Sequence, residues 1–79
     1  MNIKRSELNT TIHLINLLMQ INQIDSIHLN RSTFFEPKSI ELDSEFNFIT
    51  IVDQFKQPWF YNPSELHEIK LTLKDGRSL

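Results

Sequence analysis

The sequence predicts an α+β fold, with one long N-terminal helix packed on an antiparallel sheet of four to five strands and a short helical turn near residues 63–67. Three observations carry that prediction. Apolar residues recur at spacings of three and four over residues 8–24, the period of a helix. From Ile27 onward the apolar period falls to two, the period of a strand. Polar and proline-bearing stretches then separate the alternating runs as turns do.

The helix comes first. Ser6 or Asn9 can accept hydrogen bonds from the free N–H groups of its first turn, and Glu7 suits the positive end of its dipole. Leu8, Ile12, Ile15 and Met19 fall on one stripe, and Leu14, Leu17, Ile21 and Ile24 fall on a second, roughly opposite stripe. Leu18 lies between them, while His13, Asn16, Gln20 and Gln23 form the polar strip. A surface helix normally carries one apolar face. The second stripe therefore needs its own cover. A curling sheet, a returning C-terminal segment, a second copy of the chain or a partner protein could each supply it.

A polar turn at Ile24-Asp25-Ser26 is expected to end the helix. Residues 27–33 then alternate as a strand, and Pro37, lacking an N–H, ends the ladder or sits on an edge. Residues 39–43 form a second strand with Ile40 and Leu42 inward. Residues 46–52 are apolar on both faces, so this strand is placed centrally. A turn over residues 53–57 leads to Pro58 and the strand Trp59-Phe60-Tyr61. In Asn62-Pro63-Ser64-Glu65, Asn62 suits the N-cap, Pro63 the first helical position and Glu65 the capping box. Ile69, Leu71 and Leu73 alternate as the last strand, and Asp75-Gly76 is a turn.

The chain has 79 residues, no cysteine, 39% hydrophobic residues and a formal net charge of −2. That length suits a single domain spanning residues 1–79. No disulfide or thiolate metal site is available. The charge gives no general pull toward nucleic acid or anionic lipid. The apolar run of the helix is broken by His13, Asn16, Gln20 and Asn22, so neither a signal peptide nor a membrane span is expected, and the expected location is cytoplasmic.

No catalytic constellation emerges. His13, His28 and His67 stand at no recognised ligand spacing, and His67-Glu68 lacks the second histidine of a zinc-protease box. Glu41/Asp43 and Glu65/Glu68 are paired carboxylates, but acid–base work requires a pocket that shifts their pKa values, and so short a chain builds deep pockets with difficulty. The expectation is a non-enzymatic protein with no metal and no cofactor.

The run Phe60-Tyr61-Asn62-Pro63-Ser64-Glu65-Leu66-His67-Glu68-Ile69, followed by Leu73-Lys74-Asp75-Gly76-Arg77, resembles a pattern in small β-barrel proteins. There an aromatic strand, an Asn-Pro helical turn and a further strand follow one another. The resemblance implies that order of elements and no activity.

Two features point instead to binding. Glu36, Glu41, Asp43, Glu45 and Asp53 face only Lys38 within residues 36–53, a candidate acidic lobe that would steer a basic partner. Phe55, Pro58, Trp59, Phe60 and Tyr61 form the densest aromatic cluster, with Trp59 and Tyr61 on one strand face, and large aromatics are enriched at binding hot spots. The expected function is a small protein-binding module that blocks a larger target, an inhibitor or immunity-like protein of the phage or mobile-element type, such as an anti-defence protein. Its candidate contact residues are Leu14, Leu17, Ile21, Ile24, Glu41, Asp43, Glu45, Trp59 and Tyr61, with a homodimer through the second helix stripe as a further possibility. The alternative is a nucleic-acid-binding regulator using Lys4, Arg5, Lys70, Lys74 and Arg77.

Overall fold

The computed structural model describes residues 5–43, 45 and 48–78. One helix packs against two three-stranded antiparallel sheets. Helix α1 spans Arg5–Gln20. Leu8, Ile12 and Ile15 of its first stripe are buried, and Met19 packs against the same core.

The helix ends four residues earlier than the apolar period suggests, because Asn22 stops it. Asn22 adopts a left-handed φ of 58°. Its N–H donates to Met19 O at 3.0 Å, and the next N–H, of Gln23, reaches back to Leu18 O at 3.0 Å. This pair of bonds around a left-handed residue satisfies the last free carbonyls of a helix and turns the chain away. Ile24 consequently leaves the helix stripe and opens a strand, where it is buried.

The first sheet has the order β2-β1-β6, with β1 at Ile24–Leu29, β2 at Ser32–Phe35 and β6 at Ile69–Leu73. The single strand expected over residues 27–33 is in fact a hairpin. It turns at Asn30-Arg31, with Leu29 opposite Ser32 and Asn30 at φ 54°. Asparagine tolerates that conformation, which two-residue hairpin loops demand.

At residues 36–38 the chain bends out of the first sheet into the second. Glu36 takes φ 45°, and Pro37 is buried at the corner. The second sheet has the order β3-β4-β5, with β3 at Ser39–Leu42, β4 at Ile49–Val52 and β5 at Pro58–Tyr61. Among the described residues, six strands in two sheets thus replace the four to five of one sheet. The central placement of the Ile49–Val52 stretch holds within its own sheet. Phe48 precedes the strand, and Ser44, Phe46 and Asn47 lie outside the described residues. Ile49 and Ile51 point into the core, while Thr50 and Val52 are half-buried on the other face.

The Asn-Pro turn forms over Pro63–Glu65 as a single 3₁₀ turn, with Asn62 Oδ1 accepting from Ser64 N at 3.0 Å. Leu66 then drops into the core, which also holds Ile27, Leu29, Phe34, Ile40, Leu71 and Leu73. α1 packs chiefly on β3, with a smaller contact on β1, so it bridges the two sheets. Among the described residues, no helix is long and apolar enough to cross a membrane.

Candidate functional site: an aromatic cleft beside an open strand edge

Phe34 carries the link between the sheets at the side away from α1's main contact. Its ring, on β2, meets the edges of two β5 rings: Trp59 at 6.0 Å and Tyr61 at 6.2 Å between centroids. Edge-to-face contacts of this kind are favoured by the ring quadrupole. Trp59 and Tyr61 therefore share the inward face, as their spacing requires. Phe60 points the other way, 65% exposed, against Phe48 at 5.9 Å.

Two clefts flank the Phe34 contact. One, of about 380 Å³, is lined by β2 (Ser32 to Phe35), by Asp53, Gln54 and Phe55 of the β4–β5 turn, and by Trp59. The other, of about 420 Å³, runs from Ser32 and the Asn30-Arg31 turn to Tyr61, His67 and Glu68. Both open along β2.

Asp53 shapes the first cleft. Its Oδ1 accepts from the Phe55 and Gln57 N–H groups at 2.8 and 2.9 Å, and its Oδ2 accepts from Trp59 Nε1 at 3.0 Å. The indole hydrogen bond, aided by the backbone pair and partly opposed by desolvation, holds this carboxyl below the usual aspartate value. Phe55, at the tip of that turn, is 80% exposed. Asn30 shapes the second cleft. Its Oδ1 accepts from His67 N at 2.8 Å and Glu68 N at 3.3 Å, and its Nδ2 donates to Glu65 O at 3.1 Å. One side chain thus fastens the loop after the 3₁₀ turn to the first hairpin.

A row of polar side chains crosses the outer face of the first sheet. Thr33 Oγ1 lies 2.9 Å from His28 Nδ1, His28 Nε2 lies 3.4 Å from Glu68 Oε1, and Lys70 Nζ lies 3.2 Å from the same oxygen. Sequence spacing hid this meeting, because it is made by strand pairing: His28 opposes Thr33 on one side and Lys70 on the other. The row lies across three strands of an open sheet face, where side chains opposite one another stabilise pairing. Among the described residues, no group of three His, Cys, Asp or Glu side chains is placed to hold a metal ion.

The residues expected to bind fall in three places. Leu14 and Leu17 on α1 and Ile21 just past its end are 49%, 45% and 63% exposed, so the sheets do not curl over that stripe. Ile24 does not belong with them. Glu41 and Glu45 are exposed and Asp43 half-buried beside β3. Trp59 is half in the cleft, and Tyr61 packs against the core. Sequence reading missed Phe35, on the edge strand, which is 58% exposed in the cleft wall.

The basic residues are drawn to acceptors rather than gathered. Lys74 Nζ lies 2.7 Å from Asn22 Oδ1 and 3.8 Å from Glu36, and Arg77 Nε lies 2.7 Å from Asp75. The Arg77 backbone N–H, with its guanidinium, lowers the Asp75 carboxyl below the usual value, against some desolvation. Lys4 lies outside the described residues. Comparison with protein-family models, curated proteins and solved structures finds no match to this chain.

Proposed function

We propose that this protein is a small non-enzymatic binding module that recognises another protein through its aromatic cleft, in the manner of an inhibitor or immunity-like protein acting on a larger target. The observation that carries the reading is the placement of phenylalanine. Of the five phenylalanines among the described residues, only Phe34 is buried, while Phe35, Phe48, Phe55 and Phe60 are 42–80% exposed. A domain this small depends on burying such rings for stability. Leaving them in water is costly unless a partner covers them, and contiguous exposed apolar surface marks interaction sites. Phe35, Phe55 and Trp59 line one concave surface, the geometry in which aromatic anchors contribute most to binding.

The test is a Phe35→Ser/Phe55→Ser double variant. Both rings are well exposed, so the fold should survive. A protein captured by the wild type and then purified should form a stoichiometric complex in sedimentation, and the double variant should lose it by at least roughly tenfold in affinity. A complex of undiminished affinity with the double variant would remove the cleft from the account. Salt-sensitive retention of DNA or RNA with no protein complex would favour the nucleic-acid reading instead.

A further inference from the structure

We infer that the cleft takes an extended segment of the partner protein as an added strand on β2, with main-chain hydrogen bonds to Thr33 and Phe35. This rests on the protein-binding reading and specifies how the partner is held.

The two sheets have four edges, β2 and β6 in the first and β3 and β5 in the second. β6 is covered at its C-terminal end, where Leu73 N–H donates to Arg77 O at 2.8 Å and Thr72 bridges Ser78, and the remainder carries the charge of Lys70. β3 is covered by α1, where Asn16 Nδ2 donates to the outward carbonyl of Ile40 at 2.9 Å. β5 is blunted by proline. The Asp53 N–H bond to Gln57 O fixes the ladder so that Pro58 and Phe60 face outward, and Pro58 has no N–H to offer. Cover, proline and charge are the devices by which proteins keep strand edges from pairing with other chains.

β2 has none of them. Its residues Ser32, Thr33, Phe34 and Phe35 include no proline and no charge. Glu36 N–H donates to Asp25 O at 2.8 Å, which makes that pair a hydrogen-bonded one. In an antiparallel ladder such pairs alternate, so Phe34 and Ser32 bond to β1 while Thr33 and Phe35 oppose Ser26 and His28 without bonding them. The N–H and C=O groups of Thr33 and Phe35 therefore face away from β1, toward the open side. Glu36 turns the chain at φ 45°, so the template ends there. It offers two donors and two acceptors in a row.

What lies beside that row selects the occupant. Phe34, Phe35, Phe55 and Trp59 line the cleft along the edge, with Asp53 already engaged by the Trp59 indole and two backbone N–H groups. An extended segment with apolar side chains at alternate positions would pair its backbone with Thr33 and Phe35 and place those side chains against the rings. This division, main chain for affinity and alternate pockets for specificity, is the general logic of strand addition.

The test uses a displayed library of random peptides selected on the wild-type protein. Selected peptides should alternate apolar residues and bind one per chain. N-methylation of the peptide backbone should abolish binding at every second residue and be tolerated between. Thr33→Pro removes an outward N–H and no ladder bond, and should weaken binding by at least roughly tenfold. Thr33→Val retains that N–H, removes only the hydroxyl that meets His28, and should bind normally. Peptides indifferent to N-methylation at every position would overturn strand addition while leaving protein binding intact. Failure to select any peptide, with the partner complex preserved, would do the same. A wild-type dimer split by Thr33→Pro would assign the edge to a second copy and overturn the inference. A wild-type protein that selects no peptide and forms no partner complex would end both readings.

Discussion

Phe34 and Trp59 meet edge to face with their centroids 6.0 Å apart, one on the edge strand of each sheet. This contact ties the sheets together beside the cleft and sets the depth at which the cleft stops. Phe34→Ala should cost about 3–5 kcal/mol, the usual range for deleting a buried ring. A chain of this length holds only about 4–12 kcal/mol in total, so the variant should lose a large share of its stability. Denaturant titration checks it, and because Trp59 is the sole tryptophan, its emission reports the same contact. An unchanged midpoint would mean that the sheets do not depend on this ring.

Asn30 and the His67–Glu68 backbone supply a second prediction. Asn30→Gly preserves the left-handed turn, since glycine adopts it freely, but deletes all three side-chain hydrogen bonds. The expected loss is about 1–3 kcal/mol, the cost of stranding partners that the side chain had satisfied. Exchange of the His67 and Glu68 amides should accelerate more than that of Ile27 or Lys70. Uniform acceleration across the first sheet would show that Asn30 acts through the hairpin alone.

The Asp53–Trp59 bond makes the cleft sensitive to acid. The folded-state pKa of Asp53 lies below the ordinary value of 3.8. A depressed carboxyl contributes stability that is fully present above the unfolded-state pKa and lost as pH falls through the folded-state one. Trp59 fluorescence should therefore be flat from neutral pH to about 5 and change only below 3.8. Asp53→Asn should abolish that step. A transition centred above 3.8 would contradict the bonding described.

Leu17 lies midway along the exposed stripe of α1 at 45% exposure. Leu17→Glu should fold normally, with stability within about 0.5 kcal/mol of wild type, as for surface positions generally. Circular dichroism and thermal melting decide it. An unfolded variant would mean that this stripe is buried in solution, by a second copy or by the sheets.

Most of the architecture was legible because it is written in periodicity. The first helix stripe and the central placement of the strand through Ile49 and Ile51 follow from spacings of three to four and of two, and the Asn-Pro turn follows from its capping residues. What escaped was decided by single backbone conformations. Asn22 and Asn30 each take a left-handed φ, and each converts an apolar run into a boundary: the first ends α1 and hands Ile24 to β1, and the second folds one expected strand into two. Asparagine can signal such turns, but these two sit inside apolar patterns that outweighed them. The cleft was only half visible. Trp59 stood out as an aromatic, whereas Phe35 gains its place by strand pairing, and the open edge of β2 follows from the parity of a ladder that no sequence pattern states.

That parity gives the most direct measurement. Amide hydrogen exchange, resolved by residue, should alternate along β2 in the free protein: slow at Ser32 and Phe34, which bond to β1, and fast at Thr33 and Phe35, which face outward. Addition of a selected peptide should slow Thr33 and Phe35 and leave Ser32 and Phe34 unchanged. Fast exchange at Thr33 and Phe35 that persists in the saturated complex, or slow exchange there before any peptide is added, would contradict the account.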